Sequence, residues 1–457
     1  PYSSASMRQQ AGRAGRRQKE SLVILLGEPF PVDQYYLRNP ELVFQPPMTK
    51  LWIEPSNELI LEAHIRCAAF EMPFSPSDSR FFGEAGWTIA QRVCFSDKAG
   101  YYQVQDTESP ALSIPIRGAR QDTYQYIDAM IGQLLEEVEI ERVYFEAYEG
   151  AVFIHQGITY ICQSVHHDMR VVYLARTQVQ YYTRPRDLTD IDPCEVWRMR
   201  TLKHNDMYAY YGRVDVIFRV WGYFKVDWRA NILDTVDIDA EPFVRPTHGV
   251  WIDVPWHIVE KLTEHDILAP AAIHAAEHAI LNLTSLFVAS SADDVRTECK
   301  ISLRELSGHK TQRLRPSRLI FYDKPGQNAG VCAQVFEHLS SLLQMALHEM
   351  ESCECTDGCP ECIEAPTCRH GNLVSSKRGA LAVLRSLLHR PLFDNEDTLP
   401  TRQSDLEALS HTLCEPEPVP RRKGTQIEHI IEEPRGEHDK RPNCMDHVGS
   451  SLFFEDA

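Results

Sequence analysis

Sixteen residues, "CECTDGCPECIEAPTC" (Cys353–Cys368), hold five of the thirteen cysteines of this 457-residue chain. The spacing C-x-C-x3-C-x2-C brings four thiols, Cys353, Cys355, Cys359 and Cys362, within ten residues. In Cys359-Pro-Glu-Cys362 a tight turn lets backbone N–H groups point at thiolate sulfur. Four thiolates so placed can close a tetrahedron around zinc. A site with sulfur at all four positions keeps none open for water, so the metal is expected to be structural. Cys368 is an alternative ligand. An iron–sulfur cluster also suits four cysteines, and the residues alone leave both metals open. The other eight cysteines are scattered and the total is odd. That argues for free thiols in a reducing compartment, against a disulfide framework.

The surrounding sequence is helical in pattern. "VCAQVFEHLSSLLQMALHEM" (Val331–Met350) places Val331, Val335, Leu339, Leu342, Ala346 and Met350 on one stripe. "PAAIHAAEHAILNLTSLFV" (Pro270–Val288) opens on proline and runs apolar on most faces, as a buried helix does. "SSKRGALAVLRSLLHRP" starts with a serine cap and ends at Pro391. Residues 251–392 are therefore expected to form a zinc-binding helical domain. Residues 110–250 change character. "RVYFEAYEGAVFIHQGITYICQSV", "RVVYLARTQVQYYT" and "GRVDVIFRVWGYFKV" are rich in Val, Ile, Tyr and Phe and broken by Gly, which predicts a β-rich domain of antiparallel strands.

Nearer the start, "NELILEAHIRCAAFEMPF" (Asn57–Phe74) has Leu61, Ile65, Ala68 and Ala69 at helical spacing, and a second helix is expected near Trp87–Val93. Residues 40–108 read as a small winged-helix-like module. "SLVILLG" (Ser21–Gly27) reads as a strand buried in a parallel sheet, the tail of an α/β domain over residues 1–30. Residue 1 is Pro, not Met, and the chain is expected to be a piece of something longer. The fold class expected is multidomain, α/β and α+β. From Phe393 onward fifteen Asp/Glu face seven Lys/Arg, so residues 393–457 are expected as a disordered acidic tail, with "PRRK" (Pro420–Lys423) as an import signal.

The net charge of −18 counts against nucleic-acid binding except through local basic patches, Arg8–Lys19 and "KTQRLRPSR" (Lys310–Arg318). No apolar run reaches the length of a membrane span, and no signal segment is visible at the start. In "RQQAGRAGRR" (Arg8–Arg17), glycines space the arginines so that the backbone turns and Arg13 and Arg16 project together. Planar, permanently charged guanidinium groups suit the γ-phosphate of ATP. The same decamer also reads as a solvated basic loop or an import patch. His274-Ala-Ala-Glu277-His278 matches the zinc-peptidase pattern H-x-x-E-H, with Glu277 as base and Glu349 or Glu351 as third ligand. Its apolar setting favours histidines that pack and hydrogen-bond internally.

"QQAGRAGRR" resembles motif VI of superfamily 2 helicases, Q-x-x-G-R-x-G-R, with Gln9, Gly12, Arg13, Gly15 and Arg16 in register. The block "FYDKPGQNAGVCAQVFEHL", the cysteine cluster and "SSKRGALAVL" resemble the MrfA-type zinc-binding domain of Hrq-type helicases. These are the RecQ-like enzymes of fungi and their bacterial YprA/MrfA relatives. "SPSDSRFFG", "HQGITY" and "VQYYT" are similar to linking segments of that family, so the resemblance runs from residue 1 to about 390. Where the family shows paired glycines after an Asp-x-x-Pro turn, Asp323 is followed by "KPGQNAG", and a local loop role is expected for it.

The resemblance implies the C-terminal half of an ATP-dependent 3′→5′ DNA helicase in repair and genome maintenance, with structural zinc on Cys353, Cys355, Cys359 and Cys362. It implies that Arg13 and Arg16 complete an ATP site between two RecA-like lobes, with Gln9 coupling the lobes. The sequence holds no G-x-x-x-x-G-K-[ST] loop and no Asp-Glu-x-His box. These would lie upstream, with ATP and magnesium, and the chain alone is expected to be inactive. Implied partners are ATP and single-stranded and forked DNA, with no membrane and with homo-oligomers left open. The implied location is the nucleus, or the cytoplasm in a bacterium. A non-enzymatic zinc-stabilised DNA-binding or scaffold module and the H-x-x-E-H peptidase stand as alternatives.

Overall fold

The computed structural model describes residues 4–15, 20–44, 57–112, 114, 123–202, 207–239, 241–291, 293–298, 314–325, 330–368, 371–393, 413–422 and 428–431. Helices α1 (Ser4–Ala11), α2 (Pro31–Arg38) and α3 (Glu41–Phe44) come first. Met7, Val32 and Tyr36 form their small core. Between α1 and α2 the expected strand "SLVILLG" is not formed: Leu22, Ile24 and Leu26 are 82%, 71% and 84% exposed. A strand needs a neighbouring edge for its N–H and C=O groups, and no described segment pairs with it. Next, α4 (Glu58–Glu71), α5 (Ser79–Val93) and the strand pair β1 (Phe95–Ser96) and β2 (Tyr102–Gln103) surround Ile65, Phe74, Ile89 and Ala90. Both helices expected in this region are present.

A five-stranded sheet follows, from β3 (Thr123–Asp128), β4 (Leu134–Glu139), β5 (Val152–His155), β6 (Ile158–His166) and β7 (Val171–Arg176), in the order β4-β3-β7-β6-β5. Only the β3–β7 pairing in it is parallel. "RVYFE", expected as strand, is instead helix α6 (Ile140–Glu146). Its branched and aromatic residues favour strand, but Ile140, Val143 and Ala147 fall at helical spacing and are all buried. Arg142 and Glu146, one turn apart, form an ion pair at 2.8 Å. Tertiary burial overrides the local preference here.

The centre of the molecule is a long hairpin, β8 (Tyr181–Thr201) and β9 (Tyr208–Asp227). Two-residue periodicity in β9 serves two cores. Ala209 and Tyr211 face the helices, whereas Val214, Val216 and Phe218 face the other side. A Cβ at Gly212 would run into the Glu195 carbonyl oxygen, so only glycine fits where irregular pairing bends β8 over it. Strands β10 (Ile232–Asp237) and β11 (Phe243–Asp253) pair with β9. The sheet is completed by β12 (Val295–Thr297), β14 (Arg318–Asp323) and β16 (Glu428–Ile431), in the order β12-β14-β11-β9-β8-β16 with β10 also on β9. Strand β11 crosses the domain boundary expected at residue 250 and pairs with β14.

Helices α7 (Trp256–Glu264), α8 (Ala269–Leu281), α9 (Thr284–Phe287), α10 (Val331–Ser352) and α11 (Lys377–Leu387) cover the face to which Val250, Ile252, Leu319 and Phe321 point. Small apolar side chains let α8 sit buried among its neighbours. Asp323, expected only to shape a loop, is buried, and its Oδ1 accepts the Cys332 N–H at 2.8 Å, satisfying a donor in the first turn of α10.

Two pieces of the tail expected to be disordered are ordered. β15 (Leu413–Cys414) pairs with β13 (Arg315–Pro316), and β16 pairs with β8, both in parallel. Backbone pairing depends on what lies opposite, which composition does not record.

Candidate metal centre

Helix α10 delivers Cys353 at its C-terminal end, and the chain then folds back through Cys355, Cys359 and Cys362. The N–H groups of Cys362, Ile363 and Glu364 all approach the Cys359 carbonyl at 3.1–3.2 Å, closing the knuckle. Sulfur–sulfur distances are 3.5 Å for Cys353–Cys355, Cys353–Cys359 and Cys355–Cys362, and 3.8 Å for Cys359–Cys362. A disulfide needs about 2.05 Å, and all eleven described cysteines are free. A tetrahedron of sulfurs at about 2.3 Å from zinc has edges of about 3.8 Å, so the four thiols fit that ion. Cys368 is not part of this group.

Lys377, the first residue of α11, is 5% exposed. Its ammonium donates to the Cys353 and Cys355 carbonyls, both at 2.7 Å, and lies 3.3 Å from Cys355 Sγ. Ser376 caps the same helix by accepting the Gly379 N–H at 3.1 Å. A lysine at a helix N-terminus opposes the macrodipole, so its position there signals an anion. Burial pushes the Cys359 thiol up to about 11 and Cys362 further still. Burial also raises Cys355, but hydrogen bonds from Cys353, Cys362 and Lys377 outweigh it and leave that thiol below its ordinary value. All four sulfurs ionise together only around a cation. Lys377→Met is expected to weaken zinc binding by about 10–100-fold, the range for lost outer-shell partners. Competition with a chromophoric chelator measures this, and unchanged affinity would reduce Lys377 to a backbone clip.

The peptidase reading does not survive the geometry. His274, Glu277 and His278 on α8 are 0%, 0% and 1% exposed. Glu277 Oε1 accepts the Ile320 N–H of β14 at 2.9 Å, so this carboxylate is anchored to the sheet. Glu349 pairs with Arg38 at 3.3 Å and Glu351 with Arg385 at 3.0 Å, so both supposed third ligands are engaged elsewhere. A general base must reach water and substrate, and this one reaches neither.

Gln9, Gly12, Arg13 and Gly15 form one turn at the end of α1. The N–H groups of Gly12, Arg13 and Ala14 bond the Arg8, Gln10 and Ala11 carbonyls at 2.8, 3.2 and 3.0 Å. Gly15 has φ 67°, where glycine is favoured. Gln9 and Arg13 are exposed, and Arg16 lies outside the described residues. Of the second basic patch, Arg315 pairs with Asp190 at 2.7 Å and Glu298 at 3.2 Å, and Arg318 donates to the Glu417 carbonyl at 2.6 Å, whereas Lys310 and Arg313 lie outside the described residues. In "PRRK", Arg422 bonds Glu58 at 2.9 Å, and Lys423 lies outside the described residues.

A cavity of about 570 Å³ lies beside α6, lined by Arg184, Arg186, Arg296 and Lys324 together with Glu139, Glu141 and Glu146. Its charges are mixed, and the Arg186 guanidinium already covers the Trp221 ring at 3.5 Å. No helix among the described residues is long and apolar enough to cross a membrane.

Residues 276–363 match the family model described as MrfA Zn-binding domain, and residues 53–119 match the winged helix domain of ATP-dependent helicase HRQ1. The chain is similar to ATP-dependent helicase hrq1 of Schizosaccharomyces pombe, 40% identical over 406 residues, covering 85% of this chain and 37% of that protein. It is 35% identical over 402 residues to ATP-dependent helicase HRQ1 of Saccharomyces cerevisiae, with the same two shares, 85% and 37%. YprA of Bacillus subtilis, an uncharacterized ATP-dependent helicase, is 26% identical over 381 residues, 79% of this chain and 48% of its own. Among solved structures, DUF1998 helicase MrfA bound to DNA is 23% identical, with TM-score 0.47, covering 84% of this chain and 50% of that one. The chain thus spans 37% of the length of both fungal relatives.

Proposed function

Because the chain belongs to the Hrq1/YprA/MrfA helicases, as a C-terminal region carrying the MrfA zinc-binding domain, we propose that it serves an ATP-dependent 3′→5′ DNA helicase acting in DNA repair. Residues 1–30 end the second RecA-like lobe, 40–108 form a winged-helix module, 110–250 the β-rich part and 251–392 the zinc-binding helical part. Arg13 and Arg16 act on the γ-phosphate of ATP held with magnesium by upstream lobes, and Gln9 couples that site to the neighbouring lobe through the turn that Gly12 and Gly15 allow. Exposure of Gln9 and Arg13 supports this, since a phosphate on another lobe is reachable only from the surface. Cys353, Cys355, Cys359 and Cys362 hold structural zinc, not an iron–sulfur cluster, and keep the accessory region in shape for single-stranded and forked DNA. The nucleus is the proposed location.

One observation carries the reading: a closed four-sulfur cluster inside the residues that match the zinc-binding family. It also disfavours catalysis at that metal, because no ligand position is left for water. We expect the chain to show no ATP turnover above buffer, with or without single-stranded DNA, and to bind DNA with an affinity that falls as salt rises. Steady-state ATPase assays and fluorescence anisotropy are the measurements. Appreciable turnover would overturn the division of labour, and absent DNA binding would leave a scaffold.

A further inference from the structure

We propose that His274, His278 and Cys368 form a second metal site, separate from the four-cysteine centre, that takes zinc through two imidazole nitrogens and one thiolate. The two histidines lie one turn apart on α8, with ring centroids 4.1 Å apart, and both are buried. His274 Nδ1 stands 2.6 Å from the Val374 carbonyl oxygen and His278 Nδ1 3.2 Å from that of Ile363. A carbonyl only accepts, so Nδ1 carries the proton in each ring and Nε2 carries the lone pair. Backbone carbonyls on the far nitrogen are what orient metal-binding histidines and raise their basicity. The lone pairs so fixed converge with a sulfur. Cys368 Sγ is 3.9 Å from His274 Nε2, and the three ligand atoms lie within 4.8 Å of one another. The first distance is within a few tenths of the roughly 3.6 Å edge of a tetrahedral N–Zn–S arrangement.

The loop that presents the sulfur is built for an anion. Asn372 adopts φ 59°, a conformation few side chains accept, and its backbone N–H donates to Cys368 Sγ at 3.3 Å. Its side-chain amide is tied in both directions to Ala365, at 3.0 and 3.1 Å. Asn282, one turn beyond His278, donates to the Glu364 carbonyl at 2.9 Å. The loop is thus fastened to α8 on either side of the three ligands. Imidazoles that served only as pegs for this loop would need no sulfur between them, nor an N–H aimed at it. Three protein ligands leave a fourth position, which water can take on the half-buried Cys368 side.

Metal analysis of the full chain, purified without chelator, tests this. The expected result is about two zinc ions per chain, falling to about one in Cys368→Ser and in His274→Gln. Cobalt(II) titration of the unaltered chain gives a reading that does not depend on either variant folding. It should saturate at about two equivalents, and sulfur-to-cobalt charge-transfer intensity should be about a fifth lower in Cys368→Ser, because four of five thiolates remain. One zinc per chain, unchanged by both substitutions, overturns the proposal, as does cobalt saturation at one equivalent.

Discussion

Cys359→Ser should remove one zinc per chain and lower the melting temperature by about 10–20 °C. The hairpin from Cys353 to Cys362 has little hydrophobic burial of its own, and Cys353, Cys355 and Cys359 are all part-exposed. Zinc bound by the four thiols would instead hold Cys362, with Ile363 beside it, 2% and 0% exposed, in the core shared with Leu343 and Leu347 of α10. Structural zinc contributes about 10–16 kcal/mol of apparent binding free energy in small zinc-finger peptides. Even a third of that, about 5 kcal/mol, corresponds to roughly 10–20 °C at ~2–4 °C per kcal/mol for domains of this size. Calorimetry with parallel metal analysis measures both quantities, and Cys67→Ser, outside the cluster, should leave zinc unchanged. Loss of zinc without a change in melting would mean that packing alone positions the hairpin.

The four thiols were legible in the sequence because ligands within ten residues need only local folding to meet. The helices of Asn57–Phe74 and Val331–Met350 were legible for a related reason, as was Pro270–Val288 apart from its break between α8 and α9: a 3.6-residue period writes the buried face into the chain. What sequence reading missed depends on partners distant along the chain. Lys377 meets Cys353 and Cys355 only once α11 docks beside the hairpin, although a lysine opening a serine-capped helix just past the cysteines was a usable signal. His274 and Cys368 are 94 residues apart, and H-x-x-E-H suggested a catalytic base where the structure has a buried carboxylate pinned to β14. "RVYFE" has strand composition, yet it lies in a helix whose buried residues, Ile140 and Val143, fall at helical spacing. Arg315 and Arg318 looked like a DNA patch because their acidic partners, Asp190 and Asp253, lie on other strands.

The boundary expected at residue 250 can be tested through one side chain. Phe336 of α10 is 0% exposed, and its ring sits under Arg198 and Arg200 of β8 at 5.0 and 5.1 Å and against Tyr211 of β9 at 6.0 Å. The adjacent Glu337 binds Arg198 at 2.6 Å and Arg200 at 2.7 Å, so helix and hairpin share both apolar and charged contacts. Gly249 of β11 pairs with Tyr322 of β14, which joins the two halves through the sheet itself. Truncating such a ring costs about 3–5 kcal/mol through lost burial and the cavity left behind. In Phe336→Ala, fluorescence of the chain's seven tryptophans, Trp197, Trp221 and Trp251 of the sheet among them, and helical ellipticity should therefore shift together in one transition. Helices that melt while the tryptophan signal persists would restore two separately folding domains. Coincident curves would mean that zinc at one end of α10 and the β8–β9 hairpin beneath it belong to one cooperative unit, so that metal loss weakens a sheet it does not touch.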